Sequence, residues 1–156
     1  CVQTSVDIHK LGRLYQTTNL TFMKNNEDRW KEYISAGKEA CTLNNLTLAE
    51  KNFLNALRYV EEFSELKEHL EDSINTLALF YYAYDMYEKA EPYWERGVHI
   101  LEAKFGHESQ EVGTYLYNMA EGIYRPQGKV EEADRFIKRA VTICGEGFFK
   151  HRSKNH

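Results

Sequence analysis

Residues 77–97 read LALFYYAYDMYEKAEPYWERG, and the placing of small and bulky side chains in this stretch decides the fold. Leu77, Ala78 and Tyr81 fall on one side of a helix, because residues three or four apart share a face. Ile74 extends that row backward by one turn. Tyr84-Asp85 interrupts it, and Ala90, Trp94 and Gly97 then repeat the spacing. Small residues sit where two helices cross closely, and bulky ones fill the gaps beside them. The stretch therefore predicts two helices joined by a tight turn, packed through a small-residue contact.

The pattern recurs on either side. Upstream it is Tyr33, Ala36, Gly37, Ala40, then Ala49, Phe53, Ala56; downstream it is Leu116, Met119, Ala120, Ile123, then Ala133, Ile137, Ala140. Asn44-Asn45 and Gln127-Gly128 fill the turn positions, and Gly128 suits a left-handed helix cap. Ser64 and Ser109 are N-cap candidates for the helices that follow them. The predicted helices span 28–42, 46–63, 66–83, 87–104, 109–125 and 129–144. Three hairpins result, at 28–63, 66–104 and 109–144. Residues 1–27 are expected to be partly irregular or a capping helix, and 145–156 a basic tail. A single hairpin cannot bury both its faces, so the units must stack. The expected fold is all-α, with three stacked antiparallel helical hairpins. The anchoring alanines lie 41 residues apart (90 − 49) and then 43 (133 − 90). The third hairpin has one extra residue near Gly122, close to Pro126, which predicts a kinked or early-ending helix there.

This arrangement resembles the tetratricopeptide family over residues 30–144. The signature is clearest in Leu77-Ala78-x2-Tyr81 with Tyr87-Glu88-Lys89-Ala90 and Trp94. It is nearly as clear in Asn118-Met119-Ala120 with Gln127-Gly128-Lys129-Val130-Glu131-Glu132-Ala133. The long period, and the linker Leu101-Glu102-Ala103-Lys104-Phe105-Gly106-His107-Glu108, are similar to the kinesin-light-chain subtype. The terminal proline of the family motif is missing from all three units.

The resemblance implies a right-handed superhelical solenoid whose first helices line a concave, peptide-binding groove. The residues left after packing is subtracted are Lys31, Ile34 and Lys38 (with Cys41), then Asn75, Leu79 and Tyr82, then Tyr117, Asn118, Glu121 and Tyr124. Tyrosine gives large contact area at low rotamer cost, and an asparagine amide can hold an extended backbone. Asn118 stands where the long-repeat subtype carries such an asparagine, whereas Thr76 occupies the equivalent site of the middle hairpin. The Lys/Asn/Arg clamp that one subclass uses on a C-terminal carboxylate is missing, because Ile34, Lys38 and Asn118 occupy its slots. Most of the aromatics in Phe80-Tyr81-Tyr82-x-Tyr84-x-x-Tyr87 are expected in the core, since they cover every side of their helix.

Bulk properties agree with a binding module. The chain has 156 residues, a net charge of −4 and two prolines. No basic field favours nucleic acid; the cationic run Lys150-His151-Arg152-Ser153-Lys154 reads as a solvated end. No apolar run is long enough to span a membrane. Of the three cysteines, Cys41 and Cys144 are expected free. Cys1 leaves two readings: an arbitrary chain start, or the lipid-bearing first residue of a processed bacterial lipoprotein. The compartment follows that choice, cytoplasm or bacterial cell envelope. The Asn-Leu-Thr triplets at Asn19 and Asn45 are glycosylation acceptors only in a eukaryotic secretory setting.

No catalytic pattern emerges. The six histidines lie in no metal-ligand spacing, and His69 with Glu65, Glu68 and Asp72 reads as an acidic helix start. The glycine patterns of nucleotide sites and nucleophile elbows do not occur. Neither an enzyme nor a cofactor or metal is expected. The expectation is a protein–protein interaction scaffold; the alternative is a lipid-anchored envelope module with an assembly role. Val130, Ile137, Val141 and Ile143 cannot all face inward. Either Phe148 and Phe149 cover them, or the C-terminal hairpin self-associates.

Overall fold

The computed structural model describes residues 8–145 and Phe148, with the side chains of Gln16 and of the residues from 18 onward. Cys1 and nearly all of the basic tail lie outside the described residues. The chain is all-α, and six helices pack as sequential antiparallel pairs: α1 (Ile8–Thr42) with α2 (Leu46–Glu62), α3 (Leu70–Ala83) with α4 (Tyr87–Phe105), and α5 (Gln110–Met119) with α6 (Val130–Cys144). A 3₁₀ helix, Ser64–His69, precedes α3, and a π-helical turn, Ala120–Tyr124, continues α5. Two compact units divide the chain after Leu70.

One device closes all three pairs. The first helix of each ends on a residue with positive φ: Asn44 at 54°, Asp85 at 56° and Gly128 at 72°. The next N–H bonds to the carbonyl five residues back, Asn45 to Ala40, Met86 to Tyr81 and Lys129 to Tyr124. This is a Schellman termination, which satisfies carbonyls the helix end would leave open. Asn and Asp tolerate the left-handed conformation better than most side chains, and Gly tolerates it without cost. Five residues after each turn comes a fully buried alanine, Ala49, Ala90 or Ala133. The residues predicted to face them, Ala78 and Ala120, are equally buried, and Gly37 lies so close to the Phe53 ring that a methyl group there would overlap it.

In the first unit, Trp30, Ala56, Val60 and Leu66 form a core, with Tyr33, Ile34, Tyr59, Phe63 and Leu70 packed around it. Trp30 stacks on His69 with ring centroids 4.0 Å apart. The sequence suggested a break before residue 28, but α1 runs straight through. Asn26, within α1, is buried. It accepts from the Tyr59 hydroxyl and donates to Glu65, both at 2.8 Å. Residues 8–27 belong to α1 itself, which is one helix from Ile8 to Thr42. Ser64 likewise begins the 3₁₀ helix and makes no cap for α3, whereas Ser109 caps α5 by accepting from the Val112 N–H.

In the second unit, Ile74, Leu77, Leu116, Met119 and Ile123 are fully buried. Each such side chain contributes about 1.5–3 kcal/mol. Of the aromatic run, Phe80 and Tyr81 are buried and Tyr82 is exposed. The extra residue of the third pair is taken up by the π-helical turn. Ala120 stands eight residues before its left-handed turn residue (128 − 120), and Ala78 stands seven before its own (85 − 78). The Arg125 N–H bonds to the Ala120 carbonyl, five residues back. Widening one turn absorbs a residue without rotating what flanks it. The helix therefore reaches Tyr124 without ending early, and Pro126 falls in the turn beyond it, where its missing N–H is harmless.

Deleting Glu121 should close the π turn into an α turn and press the Pro126 ring on the Gly122 carbonyl, destabilising the protein by about 3 kcal/mol. Adding Pro126→Ala to the deletion should restore most of that loss. Urea denaturation of the two variants checks both; equal stability would show that the turn does not answer the inserted residue.

Candidate functional site

α3 and α5 run side by side and in parallel. The Tyr115 hydroxyl donates to Asn75 Oδ1 at 3.3 Å, and the Tyr82 ring lies over Gly122, 3.2 Å from where a Cβ would stand. Both pairs are 40 residues apart (115 − 75 and 122 − 82), which fixes one register along the seam. Tyr115 also packs on Trp94, with centroids 4.8 Å apart, and fills the space above Gly97. Burial pushes the Tyr115 phenol well above its ordinary range, and the Glu71 charge adds to that. It remains a neutral hydrogen-bond donor at every physiological pH.

The outward face carries Leu79 (54% exposed) and Tyr82 (42%) on α3, with Asn118 and Glu121 on α5 and the π turn. Asn75 and Tyr117 are half-buried at its margin. Glu121 is held by Arg125 at 2.8 Å. Six of the sequence-predicted groove residues thus lie on two neighbouring helices. Asp72 and Glu111, which are not among the predicted groove residues, are exposed on the same rows, each seven residues before Leu79 or Asn118. The signal that would have found them is this two-turn spacing.

Tyr124 does not belong there. It is buried, its ring lies 5.0 Å from Phe136, and its hydroxyl donates to Glu95 at 2.8 Å. Burial and the neighbouring Glu95 carboxylate both hold the phenol far above its usual pKa. Counting seven residues on from Tyr117 assumes a regular helix. The π turn adds a residue and turns Tyr124 into the place that Tyr81 holds in the preceding pair.

Lys31, Ile34 and Lys38 belong to the first unit. Lys31 is exposed and paired with Glu27, Ile34 packs on the Trp30 core, and Lys38 is exposed. Cys41 and Cys144 are free thiols. Burial pushes the Cys144 thiol up, away from the reactive thiolate.

A close group of titratable side chains lies elsewhere in the second unit. Glu102 on α4 is nearly enclosed and accepts from Arg139 on α6. His107 lies 3.3 Å from Glu102 and His99 3.4 Å from it. Arg139 also donates to the His107 carbonyl. Burial pushes the Glu102 carboxyl up, but hydrogen bonds from Arg139 and His107 outweigh it and hold the group below its ordinary value. The cluster ties α4 and the loop after it to α6. Among the described residues no group of three or more His, Cys, Asp or Glu is placed to hold a metal ion. No described helix is long and apolar enough to cross a membrane. No protein-family model matches the chain, and no curated protein is significantly similar to it.

A carboxyl held low in the fold stabilises it above the unfolded pKa and loses that contribution as pH falls through the folded one. Glu102→Gln should therefore cost about 1–2 kcal/mol at pH 7. The difference from the unsubstituted protein should shrink towards zero below about pH 4. Thermal melts across that range check it; a gap that persists at pH 3 would assign the effect to packing.

Proposed function

We propose that this chain is a helical-repeat module of the tetratricopeptide type that holds a segment of another protein on the open face of α3 and α5. The observation that carries the reading is the pairing of Leu79 and Tyr82. Both are large and apolar, both are exposed, and both sit on a helix whose Ile74, Leu77, Phe80 and Tyr81 are buried. An isolated exposed apolar residue is ordinary; two, one turn apart over a neighbouring glycine, make a surface that gains by being covered. The amide of Asn118, exposed on α5, offers both a donor and an acceptor to a passing backbone. The recurring Schellman turn and buried alanine support the repeat assignment, and such repeats stack into a superhelical solenoid with the first helices inward.

Chemistry is the weaker reading. The titratable groups drawn close together bridge α4 and α6, with their protons engaged in holding the two helices. Beside the face, burial holds the Tyr115 phenol neutral, and Tyr82 is exposed.

Replacing Tyr82 and Asn118 together by Ala removes the broad contact and the amide while leaving the buried alanine contacts untouched. A bound protein segment should lose at least tenfold in affinity, with the helical circular dichroism unchanged. Undiminished binding by a folded double variant would refute the reading.

A further inference from the structure

The face is also electrically one-sided. α3, α5 and the π turn carry Glu71, Asp72, Glu111 and Glu121, and no lysine or arginine at all. α4 and α6 mix both signs along their length. Two of the four acids are already neutralised: Lys104 reaches Glu71 and Arg125 reaches Glu121, each at 2.8 Å. Asp72 and Glu111 are exposed, and among the described residues neither has a cationic partner. They stand on the open rows, two turns before Leu79 and Asn118.

We propose that the occupant of this face is cationic: an extended stretch of another protein with Lys or Arg placed about three residues from a bulky apolar side chain. This rests on the reading that the face docks a protein segment, and it names the chemistry of that segment. The spacing follows from geometry. Seven helical residues separate Asp72 from Leu79, a rise of about 10 Å, which an extended chain covers in about three residues. The apolar side chain covers Leu79 and Tyr82, and the cation sits over Asp72 and Glu111.

An acidic segment would bring like charge onto two carboxylates that nothing else neutralises. A neutral one would cover the apolar pair and gain nothing from the acids. The same field repels nucleic acid and anionic lipid surfaces. An exposed tyrosine beside the apolar end also gives a second Lys or Arg a ring to lie against.

The test uses three fluorescein-labelled twelve-residue peptides in a Gly/Ser/Thr background, read by fluorescence anisotropy against the full chain. One carries two Arg-x-x-Leu units, the second has Glu for each Arg, and the third has Ala for each Leu. The Arg–Leu peptide should bind at least tenfold more tightly than either, and its advantage over the Glu peptide should shrink as salt rises from 50 to 500 mM. Asp72→Asn with Glu111→Gln should abolish that advantage, while Glu131→Gln with Glu132→Gln on α6 should preserve it. Equal binding of the Arg and Glu peptides, or an advantage that survives loss of Asp72 and Glu111, overturns the charge assignment and leaves the docking face standing. Failure of all three to bind overturns both.

Discussion

Everything in this protein depends on alanine side chains small enough to let two helices touch. Ala49, Ala90 and Ala133 are entirely buried, and each lies a fixed five residues after a left-handed turn residue. The turn sets where the second helix starts, and the alanine sets how closely it can approach the first. Larger side chains then find their places around that contact. Phe53 closes over Gly37, and Tyr115 fills the space that Gly97 leaves open. A β-branched or bulky residue at any of these points would push the pair apart and strand the rest of its core.

The π turn shows how strict that constraint is. An inserted residue could have rotated everything after it by 100°, putting Ala133 out of phase with Ala120. The chain instead widens one turn, so Met119, Ala120 and Ile123 all stay buried. The cost is a less favourable helical turn; the gain is an intact contact on both sides. Gly122 lies within the widened turn, and the Tyr82 ring rests on it. The packing compromise thus shapes the surface read here as functional, since a larger residue at 122 would displace Tyr82.

Polar chemistry is partitioned between two tasks. On the α4–α6 side, Arg139, His107 and His99 surround the enclosed Glu102, and the charges hold helices together. On the α3–α5 side, Asp72 and Glu111 are left to solvent beside Leu79 and Tyr82. Charges that stabilise a fold are matched within it; charges left unmatched beside apolar surface are available to a partner.

Although Tyr33, Ala36 and Ile137 are only half-buried, the sequence by itself determined the helix pairs, their turns and most of the residues buried at their contacts. Those rest on local bonding, on three-to-four-residue spacing and on the presence or absence of a Cβ, all of which a chain states directly. It also disclosed the extra residue of the third pair. Only the tertiary structure decided how that residue is absorbed, because an α kink and a π turn differ in which carbonyl an N–H finds. For the same reason Tyr124, which helical counting turned outward, lies inside against Glu95 and Phe136. Asn26, inside α1, is likewise held by partners 33 and 39 residues away, Tyr59 and Glu65, which no local pattern records.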